Sequence, residues 1–255
     1  RTLLAVCRNI INECPIYTFF HDDFTEETGD IVVPKEIATK YGLNYHVLPT
    51  LNLPDRVLKL YESEMGACIN KSEARNAWTY ANSELKGRIR LVSYVSGLAK
   101  SNFGRDLPER LATPSYLVAK THNYARENRR HVERWARDIQ PYATEANLSL
   151  FDLFYWEHRL GNWASNSLMN SYLLTDLLDP FNCRELMEIW LRVPREKRMN
   201  CNMHKEIIKR NWPDLLELPI NPGDRFNFLD KNTGLYYAAV WAKWFHGKLS
   251  RDYLK

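Results

Sequence analysis

The sequence predicts an α/β protein, a parallel-sheet α/β/α sandwich over residues 1–107 with a mostly helical region over 108–255. Three observations predict it. Short strand-like apolar runs alternate with helix-period segments as far as Val95, which is the pattern of a parallel sheet covered by helices. Beyond Pro108 the strand-like runs fade and long helical patterns take over. The 255 residues, 45% of them hydrophobic, suffice for one substantial core or an α/β layer with a helical annex.

Thr2–Ile11 reads as an amphipathic helix, with Leu3, Leu4, Val6, Cys7 and Ile10 apolar. Pro15–Phe20 is short, β-rich and bounded by charge, so it reads as a buried strand closed by a polar turn at His21, Asp22 and Asp23. Ile31–Tyr41 has helical spacing through Val33, Ile37 and Ala38 and stops at Gly42, after which Leu43–Leu48 is strand-like. Leu53–Met65 reads as a further helix, and Ile89–Val95 as a third strand ending at Ser96 and Gly97. Ligands of parallel sheets bind outside the carboxyl ends of the strands, here Phe19–Asp23, Leu48–Leu51 and Ser96–Lys100. Helical patterns follow at Tyr116–Ile139, Ser149–Leu174, Arg184–Leu191, Met203–Trp212 and Leu235–Phe245. The two regions are expected to pack as one unit.

A formal net charge of +4 lacks the electrostatic footprint of a dedicated nucleic-acid binder. Helix Tyr116–Ile139 carries Arg126, Arg129, Arg130, Arg134 and Arg137, but Glu127 and Glu133 interrupt the stripe and favour a solvated face. Five cysteines form no CxxC pair and no even framework, which points to a reducing, cytoplasmic setting. No run approaches the roughly 20 apolar residues that span a bilayer. The seven histidines show no zinc spacing, so no metal ligands are predicted.

Several short motifs occur in a particular order. Tyr17–Asp22 (YTFFHD) is followed by GDIVVPKEIATKYGLNYHVL, with Asp30, Ala38 and His46 at spaced positions. Later come the Arg159-bearing segment Trp156–Ala164, Asp-Pro-Phe-Asn at Asp179–Asn182, a helix to Val193 and Pro194, and HKEIIKR at His204–Arg210. This series resembles the asparagine-synthase-like family of the adenine nucleotide α-hydrolase (HUP-like) superfamily, over nearly the whole chain. The resemblance implies an ATP-dependent, AMP-forming synthetase that makes an amide or C–N bond. It also implies ATP and Mg²⁺, a carboxylate-type acceptor, and ammonia from a separate or missing glutaminase domain. The family opens with a Ser-Gly-Gly-x-Asp-Ser pyrophosphate loop, and Arg1-Thr2-Leu3-Leu4 is similar to the start of the helix behind it. The chain is therefore expected to begin just after that loop and to be inactive as it stands.

The same resemblance assigns site residues. Lys205 matches a helical lysine that neutralises phosphate charge during adenylation, although a basic helix face with Lys209 is the plainer reading. Thr18 and Phe19 match the backbone that meets adenine, and Ser96, Gly97 and Lys100 the turn that meets phosphate. Gly97 is equally a strand-ending glycine at positive φ. That turn departs from the family, with Leu98 and Ala99 where acidic side chains would hold Mg²⁺. Arg159 matches a basic residue of the active cleft, and Asp176 reads as structural. Two alternatives stand beside the synthetase: a non-catalytic binding or scaffold relative of the same fold, and a tRNA-modifying enzyme of the same superfamily.

Overall fold

The structure, a computed structural model, describes residues 1–104, 107–121, 125–218, 235, 238 and 242. Helix α1 (Thr2–Val6) breaks at Cys7 into a 3₁₀ stretch, Arg8–Glu13, so the expected Thr2–Ile11 helix is divided. Strand β1 (Ile16–Phe20), helix α2 (Gly29–Tyr41), strand β2 (Tyr45–Pro49) and helix α3 (Asp55–Met65) follow. Helix α4 (Lys71–Ala81) comes next, then strand β3 (Arg90–Leu91) and a 3₁₀ stretch, Val95–Lys100. After α5 (Pro114–Thr121) and α6 (Arg126–Glu145), α7 (Leu150–Phe154) runs through a π-helical segment, Tyr155–Ala164, into α8 (Ser165–Tyr172). Strand β4 (Leu177–Leu178) and helices α9 (Arg184–Arg192), α10 (Arg195–Arg198) and α11 (Asn202–Asn211) complete the described elements. The Leu235–Phe245 helix lies outside the described residues except at three isolated positions. No described helix is long and apolar enough to cross a membrane.

Among the described residues the protein is mixed α/β and mostly helical, with two small parallel sheets. Among the described residues it divides into two units. The first gathers Arg1–Val95, Asn162–Cys183 and 204–218; the second gathers Ser96–Gly161 and Arg184–Met203. Segments of the helical half of the sequence thus belong to the strand-bearing unit.

In the first unit β1 and β2 pair in parallel, Ile16 opposite Tyr45 and Phe20 opposite Pro49, with α2 as the crossover. A parallel pair needs such a helix, and Gly42 stops it with a left-handed φ of 64°. The face bearing Tyr17, Phe19 and Leu48 packs on Tyr80 of α4 and on Leu85. A separate cluster joins Ala5 and Ile11 to Val33 and Ile37 of α2 and to Ile208, Trp212 and Leu215. Sequence periodicity overlooked α4, which Asn70 caps by accepting the Glu73 N–H at 3.2 Å.

The third strand needs correction: of Ile89–Val95 only Arg90 and Leu91 pair, and their partners are Leu177 and Leu178. Val95 already begins the 3₁₀ stretch. The Ser149–Leu174 helix is nearly continuous, but ten of its residues are wound as π-helix. In the second unit α6 buries Val132, Ala136 and Ala143 and leaves all five arginines exposed, with Arg129 paired to Glu133 at 2.8 Å.

Candidate functional site

The carboxyl ends of β1 and β2 are fastened by Arg75, a residue the sequence reading did not single out. Its guanidinium grips Asp22 through two bonds of 2.8 and 3.0 Å, and it also donates to Thr50 Oγ1 (3.2 Å) and the Leu51 carbonyl (3.3 Å). The fork holds the exposed Asp22 carboxyl below its usual range, through the hydrogen bond first and charge second. Thr79 Oγ1 accepts the Leu51 N–H at 2.9 Å, and Thr50 N–H reaches the Phe20 carbonyl at 3.0 Å. The strand tips Phe19–Asp23 and Leu48–Leu51 therefore form one ordered rim.

Within that rim Thr18 and Phe19 differ. Thr18 belongs to the alternate residues of β1 whose main chain faces β2, so its N–H and C=O are committed to the ladder. Phe19 turns its main chain the other way, while its ring lies 5.3 Å from the Arg90 guanidinium. Of the two, only Phe19 has main-chain groups available to a ligand.

Arg90 is 4% exposed and anchors a polar cluster in the first unit. It donates to Tyr17 Oη (3.1 Å), Ser171 Oγ (3.3 Å), Thr175 Oγ1 (3.4 Å) and Glu73 Oε1 (3.4 Å). Ser171 also donates to Glu73 at 2.5 Å, and the Tyr80 ring lies 5.4 Å from the guanidinium. A buried cation is tolerated only when paired and hydrogen-bonded, and this one is both. Arg90 alternates with apolar residues just as exposed Arg88 does, so the sequence gave no indication of such enclosure.

The Asp-Pro-Phe-Asn segment follows β4 and holds the start of the 3₁₀ stretch beyond β3. Asp179 accepts N–H bonds from Val95 (2.9 Å) and Phe181 (3.0 Å), while burial pushes its carboxyl up from the usual range against those bonds. Asp176 has an exposed side chain and takes part through its carbonyl, which accepts the Arg90 N–H at 2.9 Å.

Ser96, Gly97 and Lys100 belong to the second unit. Gly97 is not among the positive-φ glycines, which corrects the turn-glycine expectation. Glycine is required there because a Cβ would sit 2.1 Å from the Tyr155 hydroxyl. Leu98 and Ala99 are 0% exposed, so the segment sends apolar side chains into the core where acids would hold Mg²⁺. Among the described residues no three His, Cys, Asp or Glu side chains gather as a metal site, and this turn does not fit Mg²⁺. Arg159 lies half-buried on the π-helical segment, where its charge works against the rise that burial imposes on the Tyr155 hydroxyl. Lys205 stands exposed on α11, in the first unit with Thr18 and Phe19, and Ile208 of the same helix faces the core.

The second unit contains a cleft of about 710 Å³ that the sequence did not indicate. Leu107, Glu109, Asn147, Arg192, Arg195 and Arg198 are among the residues lining it. Its inner arginines serve the fold: Arg195 donates to Ser101 Oγ (2.9 Å) and the Leu107 carbonyl (2.6 Å), and Arg198 pairs with Asp152.

Compared with protein-family models, with curated proteins and with solved structures, the chain matches none.

Proposed function

We infer that the chain is the synthetase domain of an asparagine-synthase-like enzyme, which uses ATP to adenylate a carboxylate-type acceptor that a nitrogen nucleophile then attacks. The HUP-like sandwich, a cytoplasmic setting and a separate ammonia source belong to this reading. The observation that carries it is Asp179. The aspartate of the Asp-Pro-Phe-Asn motif, which directly follows β4, binds the main chain at Val95, where the segment leaving β3 enters the 3₁₀ stretch, and the carboxyl ends of parallel strands are where such folds bind ligands. The ordered rim at Thr50, Leu51 and Asp22 supports the same end of β1 and β2. Exposed Lys205 is available to phosphate as a point charge.

A second reading, a scaffold relative without catalysis, draws on the burial of Leu98 and Ala99. Two tests separate the readings. The synthetase requires a Ser-Gly-Gly-x-Asp-Ser loop encoded ahead of Arg1, and its absence from the gene sinks that reading. With the loop present, pyrophosphate release from Mg·ATP is measured across a panel of carboxylates with ammonium. Acceptor-dependent release that falls at least ~100-fold in Lys205→Ala is expected, since one charge-stabilising donor is worth about that much. Lys205 is exposed, so the variant should keep the fold. No release from a folded protein with any acceptor would establish the scaffold.

A further inference from the structure

Helix α6 is the longest described element, and its outward side carries charge that the fold does not use. Arg126, Arg130, Arg134 and Arg137 follow one another at helical spacing, so they share one face, turned away from the buried Val132, Ala136 and Ala143. All four are exposed, and among the described residues none of their guanidinium groups takes part in an ion pair or hydrogen bond. Glu133, which interrupts the row in the sequence, is engaged from the flank by Arg129 at 2.8 Å. The other acids of this stretch, Glu127 and Asp138, stand at its two ends. Like charges four residues apart on a helix repel, so the row weakens α6 rather than supporting it.

A second line runs beside the first. His131, Trp135 and Tyr142 fall on the adjoining flank of the same helix. His131 is exposed, and Tyr142 is 68% exposed with no other ring against it among the described residues. Trp135 is half-buried and fixed in place, its ring 5.0 Å from that of Phe154 and its Nε1 donating to Glu157 at 2.7 Å.

Three kinds of polyanion carry the complementary charge, and the surroundings of the row select one. An anionic membrane takes up a basic helix through a free apolar face, and the apolar face of α6 is buried in the second unit. An acidic peptide meets the cations but makes no use of the aromatic line. A single-stranded nucleic acid uses both, with its phosphates along a basic track and its bases stacked on aromatic side chains. The row extends about 16 Å along the helix axis at ~1.5 Å per residue, the rise of roughly five nucleotides at ~3.4 Å each. Arginine is also the cation whose planar fork meets phosphate oxygens two at a time.

We propose that α6 is a binding surface for single-stranded nucleic acid, with Arg126, Arg130, Arg134 and Arg137 on the phosphates and His131 and Tyr142 against the bases. The formal net charge of +4 and the two acids at the ends of the row make the binding modest and sensitive to salt. The proposal is independent of the synthetase reading, because it concerns a helix face and no ATP chemistry.

Fluorescence anisotropy of a labelled oligo(U) of about 12 nucleotides, titrated with the native chain from ~20 to ~200 mM salt without ATP, tests it. Four phosphate contacts on a single strand give a slope of log K against log salt of about −2.8. Arg130→Gln combined with Arg134→Gln should halve the slope to about −1.4, whereas Tyr142→Ala should weaken binding at least ~5-fold and leave the slope unchanged. Arg184→Gln removes an exposed arginine of α9 and should change neither quantity. Every substituted side chain is exposed, so the variants should keep the fold. Absence of binding at ~20 mM salt, or a slope that the double variant leaves unaltered, would overturn the proposal. Poly-glutamate binding as tightly as oligo(U), or a Tyr142→Ala protein binding as well as the native one, would overturn it too, by removing the part played by bases and making an acidic protein segment the partner.

Discussion

The two units each bury an arginine against a carboxylate, in different ways. In the first, Arg90 spreads its donors over Tyr17, Ser171, Thr175 and Glu73, and Glu73 has a second donor in Ser171. In the second, Arg198 faces Asp152 at one carboxylate oxygen and gives its other donors to the Val193 (2.9 Å) and Leu98 (3.2 Å) carbonyls. The remaining Asp152 oxygen, Oδ1, is buried without a hydrogen-bond partner. A buried charge served by several neutral groups survives the loss of one of them, whereas one dependent on a single counter-charge does not.

Removing each arginine tests this most strongly. Arg198→Met leaves Asp152 buried and unpaired, and should cost about 3–5 kcal/mol, read as loss of exchange protection across the second unit. Arg198→Met combined with Asp152→Leu should recover most of that, because apolar replacement of both partners removes the desolvation cost. Arg90→Met should cost less, about 2 kcal/mol, since Ser171 still donates to Glu73. Equal losses at the two sites would remove the distinction.

The sequence exposed the geometry of both units more readily than their charges. Strands β1 and β2 and helices α2 and α3 were legible because an apolar period and a stop such as Gly42 announce them. Strand β4 was not, because two residues, Leu177 and Leu178, carry no period. The π-helical winding of Tyr155–Ala164 was hidden because its residues still read as helical at a period of about 3.6. Helix α4 did carry a mark, the Asn70-x-x-Glu73 spacing of a capped start, which apolar periodicity alone does not weigh. Arg75, Arg90 and Arg198 look alike in sequence, and only contacts distant along the chain make the first a rim clamp and the other two core residues. Among the candidate residues, Thr18, Phe19 and Lys205 fall in the first unit and Ser96, Gly97, Lys100 and Arg159 in the second, a division that order along the chain did not reveal.

His158 sharpens the comparison with pH. Burial first, and the charge of neighbouring His131 second, push its pKa down from 6.5 to about 4. The ring is stacked on Phe154 at 4.2 Å and edge-on to Trp135 at 5.3 Å, and its Nε2 is buried without a hydrogen-bond partner. Glu157 is next in sequence but bonds to Trp135 Nε1 at 2.7 Å. Because the folded pKa lies below the unfolded one, the stability this residue supplies is complete above about 6.5 and is lost as pH falls toward 4. Thermal unfolding should show a decline between those pH values that His158→Phe flattens. An unchanged slope in the variant would assign the decline to other groups.

The smallest effect separates charge from chain strain beside Arg198. Asn200 and Cys201 both have positive φ, 56° and 59°, and follow the buried arginine after Met199. Asparagine tolerates the left-handed region, but cysteine pays a steric penalty there that glycine does not. Cys201→Gly should therefore stabilise the protein by about 0.5–1 kcal/mol, the relief of a left-handed Cβ less the entropy that glycine adds to the unfolded chain. The gain should persist at full size in the Arg198→Met background, because strain and desolvation are independent costs. A gain that vanishes in that background would show that the left-handed pair is held in place by the Arg198 contacts, and that part of the loss assigned to the ion pair belongs to the backbone it fixes.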